Sequence, residues 1–288
     1  MIKQARLDQL TFLEGLISNK KRATGRKKLP KSPRPKDPRH LSRQYIKIIK
    51  PMMDAQRALV EALLIPQLER ILREAAELRP TQNSENSRLD SLSSNVGDVM
   101  GQIEINFLRR FPRSEVENLA LDALVKINKS NLDDYDRIFG SVLGIQLPTT
   151  EPWFIDAAGA FVKQNADLFT SVTVEARGQI EQTVMRMVQE GKLQKDIAAE
   201  IKNRLGVSES RANLIARDQA SKFNAQLSKL RQTEVGLEKY EWSTSGDERV
   251  RQTHAANNNK TFYWNDPPAT EHPGEDVNCR CVAIPVFE

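Results

Sequence analysis

The 288-residue sequence predicts a mainly α protein: helical N-terminal and central regions, then a small α+β module that contains a β-hairpin. Three observations carry this reading. Apolar residues recur at three- and four-residue steps over most of the chain up to Leu230, the spacing of one helix face. Beyond Gly236 the pattern changes to short β-type runs divided by Pro, Gly and Asn. No apolar run approaches the ~20 residues of a membrane span; the longest, Ala62-Leu63-Leu64-Ile65, stops at Pro66. Hydrophobic residues make up 39% and charged residues 28%, with 13 Gly and 14 Pro. That balance excludes collagen-like and fully disordered chains and leaves enough apolar mass for real cores. The length allows about two domains.

Residues 1–40 read as a short helix plus a basic, Pro-rich arm. Leu7, Leu10, Leu13 and Ile17 mark the helix face. The arm holds Lys20, Lys21, Arg22, Arg26, Lys27, Lys28, Lys31, Arg34, Lys36 and Arg39 against one acid, Asp37. The whole chain carries only +5, so the positive charge is local to this stretch. Pro30, Pro33, Pro35 and Pro38 break helices and keep the backbone extended. An unstructured or extended arm of this kind binds polyanions by neutralising phosphates and releasing counterions; a solvated linker is the plainer alternative. The N-terminus has no uninterrupted apolar core, so a secretory signal is not expected. Two cysteines cannot build a disulfide framework, which points to a chain that is cytosolic or assembled in a cytosol.

Residues 41–150 form a helical region. Val60, Leu64, Leu68, Ile71, Ala75 and Leu78 lie on one face, with Glu69, Arg70, Arg73, Glu74 and Glu77 opposite. Pro51 and Pro66 should start, kink or divide this stretch, and Pro80 should end it. The Ser/Asn-rich segment from Thr81 to Asn95 reads as a loop. Helical patterns resume at Val99–Phe111 and at Ser114–Asn128, with Ser114 as N-cap. A boundary falls at Pro148–Pro152. Residues 151–236 read as a helical bundle: Trp153–Gln189, stopped by Gly191; Ile197–Leu205, ended by Gly206; and a last helix capped by Ser208 that runs to about Glu234. Helices joined by tight turns also allow a DNA-binding helix-turn-helix regulator, with Arg211 and Arg217 on the reading helix.

Residues 237–288 form a small β-containing module with little apolar mass. Lys239–Ser243, Thr261–Trp264 and Val282–Phe287 are its β-type runs, and Asn257-Asn258-Asn259 is turn material. Modules of this size commonly need a metal or a docked neighbour. Both cysteines and two of the three histidines fall here: His254, His272, Cys279 and Cys281. Two sulfurs and two imidazoles match the coordination of a structural zinc, whose binding energy becomes folding energy. In an extended strand, residues two apart point the same way, so Cys279 and Cys281 can share an ion. The plainer alternative is two reduced cysteines packed as small hydrophobes. A metal-dependent nuclease using His254 as base, with Asp247, Arg249 and Asn278 beside it and Arg251 on a phosphate, is a further alternative. No Gly-rich phosphate loop, nucleophile elbow or diagnostic carboxylate pair supports catalysis.

The run Trp242-Ser243-Thr244-Ser245-Gly246-Asp247-Glu248-Arg249-Val250-Arg251-Gln252-Thr253-His254, then Pro273, then Asn278-Cys279-Arg280-Cys281, resembles the C-terminal domain of the Mu F-like phage head morphogenesis (minor capsid) family. The upstream Gly191, Ile197, Ile201 and Arg211-Ala212-x-x-Ile215-Ala216-Arg217 are similar too, so the resemblance covers about residues 177–285. The family usually continues Arg-Thr-Glu where this chain has Arg217-Asp218-Gln219. The resemblance implies a non-catalytic minor head protein, found in the virion at the capsid interior or portal and assembled in a host cytoplasm. Its implied partners are portal and capsid proteins, with double-stranded DNA or the portal on the basic arm and no membrane. Trp242, Asp247, Arg249, Asn278 and Arg280 would then be structural residues of the module.

Overall fold

The computed structural model describes residues 2–77, 84–147 and 151–287. Its helices are α1 (Ile2–Thr24), α2 (Ser42–Leu59), α3 (Leu68–Glu77), α4 (Ser84–Arg110), α5 (Arg113–Val142), α6 (Trp153–Gln189), α7 (Gln194–Glu234) and the single turn α8 (Gln252–Ala255). Strands β1 (Lys239–Ser243), β2 (Thr261–Tyr263) and β3 (Val282–Pro285) form an antiparallel sheet in the order β2-β1-β3. The mainly α chain with a small C-terminal sheet is as expected. The chain divides into two units. One comprises the segment up to Tyr45, Leu121–Phe161 and everything from Ala216 onward; the other comprises Ile46–Ala120 and Val162–Ile215.

The second unit is helical. Val60, Leu64, Leu68 and Ile71 are buried with Val96, Val99 and Ile103 of α4, Ile180 and Val184 of α6, and Ile197, Ile201 and Leu205 of α7. Each such side chain contributes about 1.5–3 kcal/mol on burial. The side chain of Ala75, and Leu78 and Pro80 altogether, lie outside the described residues. Between α2 and α3 the chain makes a π turn at Val60–Leu64 and a 3-10 turn at Ile65–Gln67. Pro66 has no N–H to donate back, and the register change around it keeps the apolar stripe aimed inward.

Three expectations fail in this part of the chain. Of the Ser/Asn-rich loop expected over Thr81–Asn95, residues 81–83 lie outside the described residues, and the rest is the first turns of α4. Gly206 does not end a helix, and Ser208 does not cap one. Helix α7 runs unbroken for 41 residues, and the Ser208 hydroxyl donates to the Arg204 carbonyl (3.0 Å) inside it. A glycine stops a helix when it takes positive φ; Gly191 does so at 67°, whereas Gly206 is not among the positive-φ glycines. The tight turn that a helix-turn-helix needs is therefore absent here. Nor does Ser114 cap α5. That helix starts at Arg113, and the Pro112 carbonyl accepts from Glu115 (2.9 Å) and Val116 (3.2 Å). Of the boundary expected at Pro148–Pro152, residues 148–150 lie outside the described residues.

The first unit holds the module. Leu13 and Ile17 of α1 pack with Tyr135, Ile138, Phe139 and Val142 of α5 and with Leu237, and Leu29 and Phe287 close over them. A second cluster joins Tyr240, Trp242, Trp264, Cys279, Cys281 and Ala283. Gln232 of α7 donates to the Ala283 carbonyl (3.1 Å) and the Tyr135 hydroxyl (2.8 Å), and its own oxygen accepts from the Trp264 indole (3.3 Å). The sheet is thereby tied to α5 and α7, the docked neighbours that its thin core calls for.

The first part of the expected arm, Lys20 to Thr24, is the last turn of α1 and not extended; beyond Gly25 the backbone is extended up to the 3-10 turn at Pro38–Leu41, as its prolines dictate, but it is not loose. Ser32 is buried and donates to the Pro285 carbonyl (2.5 Å). Lys31 pairs with Glu241 (2.8 Å), and the Arg34 guanidinium donates to Ser243 (3.0 Å) and the Thr244 carbonyl (3.3 Å). The Lys36 N–H donates to Asp134 (2.7 Å), and Asp37 pairs with Arg39 (2.9 Å). The expectation that the arm is unstructured is corrected by Leu29 and Ser32, which find partners far along the chain.

A buried thiol and imidazole cluster as candidate metal centre

Strand β1 carries Trp242, and the loop after it turns at Asp247. The Asp247 carboxylate accepts from the Arg249 N–H (3.1 Å), a side-chain turn of the kind aspartate favours. The chain then enters α8, whose buried His254 lies edge-on to Trp242, with ring centroids 5.4 Å apart. From the other side come Asn278, Cys279, Arg280 and Cys281, leading into β3. Alternation along this extended stretch separates the side chains. Cys279 and Cys281 turn inward, while Arg280 forms a two-pronged ion pair with Asp247, one contact being 2.6 Å. The Arg280 guanidinium, by hydrogen bonding, holds the Asp247 carboxyl below the usual carboxylate range. Asp247 thus clamps the two halves of the module together.

His254 Nδ1 lies 3.5 Å from the sulfurs of both Cys279 and Cys281. One ligand atom from each of the three residues falls within 4.8 Å of the others, and all three residues are buried. His254 Nε2 is 2.9 Å from the Asp276 carboxylate. This carboxylate–imidazole pairing fixes ring orientation and raises ligand basicity in metal sites. The Cys279 thiol is held down to about 6, chiefly by the hydrogen bond from Cys281 and also by the Gly274 N–H. Cys281 is pushed up by that same bond and by burial. By donor type the set fits zinc: soft sulfur, imidazole, and a carboxylate behind the ring. It is one ligand short of a closed four-coordinate site.

His272, expected as that fourth ligand, is not in the cluster. Its Nδ1 is hydrogen-bonded to the Tyr240 hydroxyl (2.9 Å), and its ring lies 5.0 Å from that of Trp264. Burial and nearby Lys229 lower its pKa, and its ring is part of the aromatic core of the module. Asn278 takes φ 56° and turns its N–H to Asp218 of α7 (2.9 Å). Asp218 also pairs with Lys222 (2.8 Å). Two carboxylates thus do work that sequence reading did not assign to them. Asp218 left a trace, since it stands where the resembled family has another residue. Asp276 left none beyond standing three residues before Cys279.

Gly274 packs the 272–281 loop onto α7. It has φ 95°, and a Cβ there would meet the Ala225 Cβ at 2.5 Å. Gly246 has φ 74° and open space around it. Gly246→Ala is therefore expected to cost only backbone strain, about 1 kcal/mol, and Gly274→Ala about 3 kcal/mol because overpacking adds to it. Urea unfolding of both variants checks this; equal costs would mean that Gly274 does not touch α7.

An uncharacterized protein of Haemophilus influenzae (strain Rd) is 38% identical over 179 residues, 61% of this chain. The chain spans 40% of the length of that relative. No solved structure matches. The matched family region contains Trp242, Asp247, Arg249, His254, His272, Asn278, Cys279, Arg280 and Cys281 and leaves out the arm. Residues 178–284 match the family described as Phage Mu protein F like protein, the family that the Trp242–Cys281 motif resembles.

Proposed function

We propose that this chain is a minor structural component of a phage head, incorporated during head assembly in a host cytoplasm and seated at the portal or capsid interior, without catalysis. The family match over residues 178–284 carries this reading. In it, His254, Cys279 and Cys281 would hold a zinc ion that serves as a cross-link between α8 and the lead-in to β3. His254 orients through Asp276, Trp242 covers the ring, and the Asp247–Arg280 pair closes the outer side. Among the described residues, no helix is long and apolar enough to cross a membrane.

The geometry gives no support to the nuclease alternative. Both ring nitrogens of His254 are engaged, one toward the sulfurs and one with Asp276, and the residue is buried. A base needs a nitrogen that can reach the proton it takes. The regulator alternative has lost its turn, and Arg211, assigned to the reading helix, pairs with Glu175. Proteomics of purified particles, with a nuclease assay on the isolated chain, tests the proposal. The expected result is the chain in particles and no cleavage dependent on divalent ions. Cleavage that vanishes in a folded His254→Ala variant would overturn it.

A further inference from the structure

The ten basic residues of the arm divide into two groups. Lys31, Arg34 and Arg39 are taken up by Glu241, Ser243 and Asp37, and Lys36 is tethered through its backbone. Lys20 is half-buried, its Nζ beside Gly144 where α5 ends, a favourable place for a cation. Arg22, Arg26, Lys27 and Lys28 are exposed, Lys21 is partly so, and no acid stands among them in sequence.

Nor is their loop slack. Gly25, at φ 65°, closes α1 with its N–H on the Arg22 carbonyl (3.3 Å), and the Arg26 N–H reaches the Lys21 carbonyl (3.2 Å). That is the two-bond closure of a glycine-capped helix end. Leu13 and Ile17 anchor the loop on one side and Leu29 on the other, all three against the same core. A loop held at both ends loses little freedom on binding.

We infer that the turn at residues 21–28 is a preformed contact for the phosphate backbone of double-stranded DNA, independent of base sequence. Protein partners are gripped through buried aromatic and apolar anchors at the centre of a patch. Here the only large apolar residue, Leu29, faces inward, and what remains is dense positive charge. Five cations set a salt slope of about −4.5 in log K against log[salt], or a loss of about 10²–10³-fold between 50 and 200 mM. The turn lies outside residues 178–284, so the inference does not depend on the head-protein reading, and particle incorporation is read separately from DNA binding.

The test is fluorescence anisotropy of the full chain with a mixed-sequence 30-base-pair duplex, with polyglutamate as the competing acidic chain. The quadruple variant Arg22→Gln, Arg26→Gln, Lys27→Gln, Lys28→Gln is expected to bind at least about 100-fold more weakly at 0.1 M salt, with a slope near −1. A control losing as much charge from other exposed positions (Lys192→Gln, Lys195→Gln, Lys202→Gln, Arg217→Gln) is expected to stay within about threefold. Polyglutamate is expected to compete poorly. Wild-type binding by the quadruple variant, equal loss in the control, or polyglutamate competing as well as duplex would each overturn the inference.

Discussion

If His254, Cys279 and Cys281 hold the proposed zinc, treatment with a chelator, or replacing Cys279 and Cys281 together with alanine, should strip protection from the amides of Trp242 and Ala283 and destabilise the module by at least about 3 kcal/mol. Two of the six members of the core cluster around Tyr240 and Trp242 are these cysteines, so the sheet has little else to fold around. If the sulfurs were only small hydrophobes, Cys→Ala would remove little volume and cost about 1–2 kcal/mol for the pair, and a chelator would do nothing. If they hold a metal, both treatments act alike and the alanine variant stops responding to chelator. Structural zinc in small domains contributes about 10–16 kcal/mol of apparent binding energy. The loss here should be smaller, because Gln232, Asp218 and Gly274 still hold the module to α7. Hydrogen exchange with elemental analysis reads the outcome. A folded preparation holding less than about a tenth of an equivalent of zinc would sink the metal centre, since such sites do not empty casually.

What the sequence made legible was local in origin. The stripe Val60, Leu64, Leu68, Ile71 could be seen because a helix repeats every 3.6 residues whatever packs on it. The strand at residues 239–243 showed through its alternation, and the one at 282–285 as a short β-type run after turn residues. His254, Cys279 and Cys281 stood out because thiols and imidazoles are rare in this chain, not because spacing placed them together.

The failures share a cause: local propensity is a weak guide where tertiary packing decides. Gly206 has no stop signal of its own once Leu205 and Ile201 on one side and Ala212 on the other are buried in one helix. Residues 84–95 look like a linker by composition and are helical. The arm looked solvated because its partners, Glu241, Ser243, Asp134 and Pro285, are about 100 to more than 200 residues away. His272 shows the limit of counting ligands by type, since its ring has a use in the core with Tyr240 and Trp264.

Arg231→Met should be among the most damaging single changes in the first unit, at about 3–5 kcal/mol. In sequence Arg231 is one of several cations along the last helix and looks like solvated charge. In the fold it is 2% exposed and sits between helices. Its Nε and Nη2 grip both oxygens of Glu151 (2.8 and 2.5 Å), Nη2 also reaches Asn128 (2.6 Å), Nη1 donates to Asn131, and the guanidinium lies 5.5 Å from the Trp153 ring. Removing it leaves the Glu151 carboxylate in a site where each side chain of the pair is at most 8% exposed. An uncompensated buried charge is what makes breaking such a pair costly. Arg231→Lys should do nearly as badly, because a single ammonium cannot span the fork that binds Glu151 and two asparagines at once. The double variant Arg231→Met, Glu151→Leu removes both charges and should cost much less than the two single changes summed, by a coupling of about 1–3 kcal/mol. Single-variant costs under about 1 kcal/mol, the range of an exposed pair, would show that Arg231 does not lie between α5, α6 and α7 as a buried clamp.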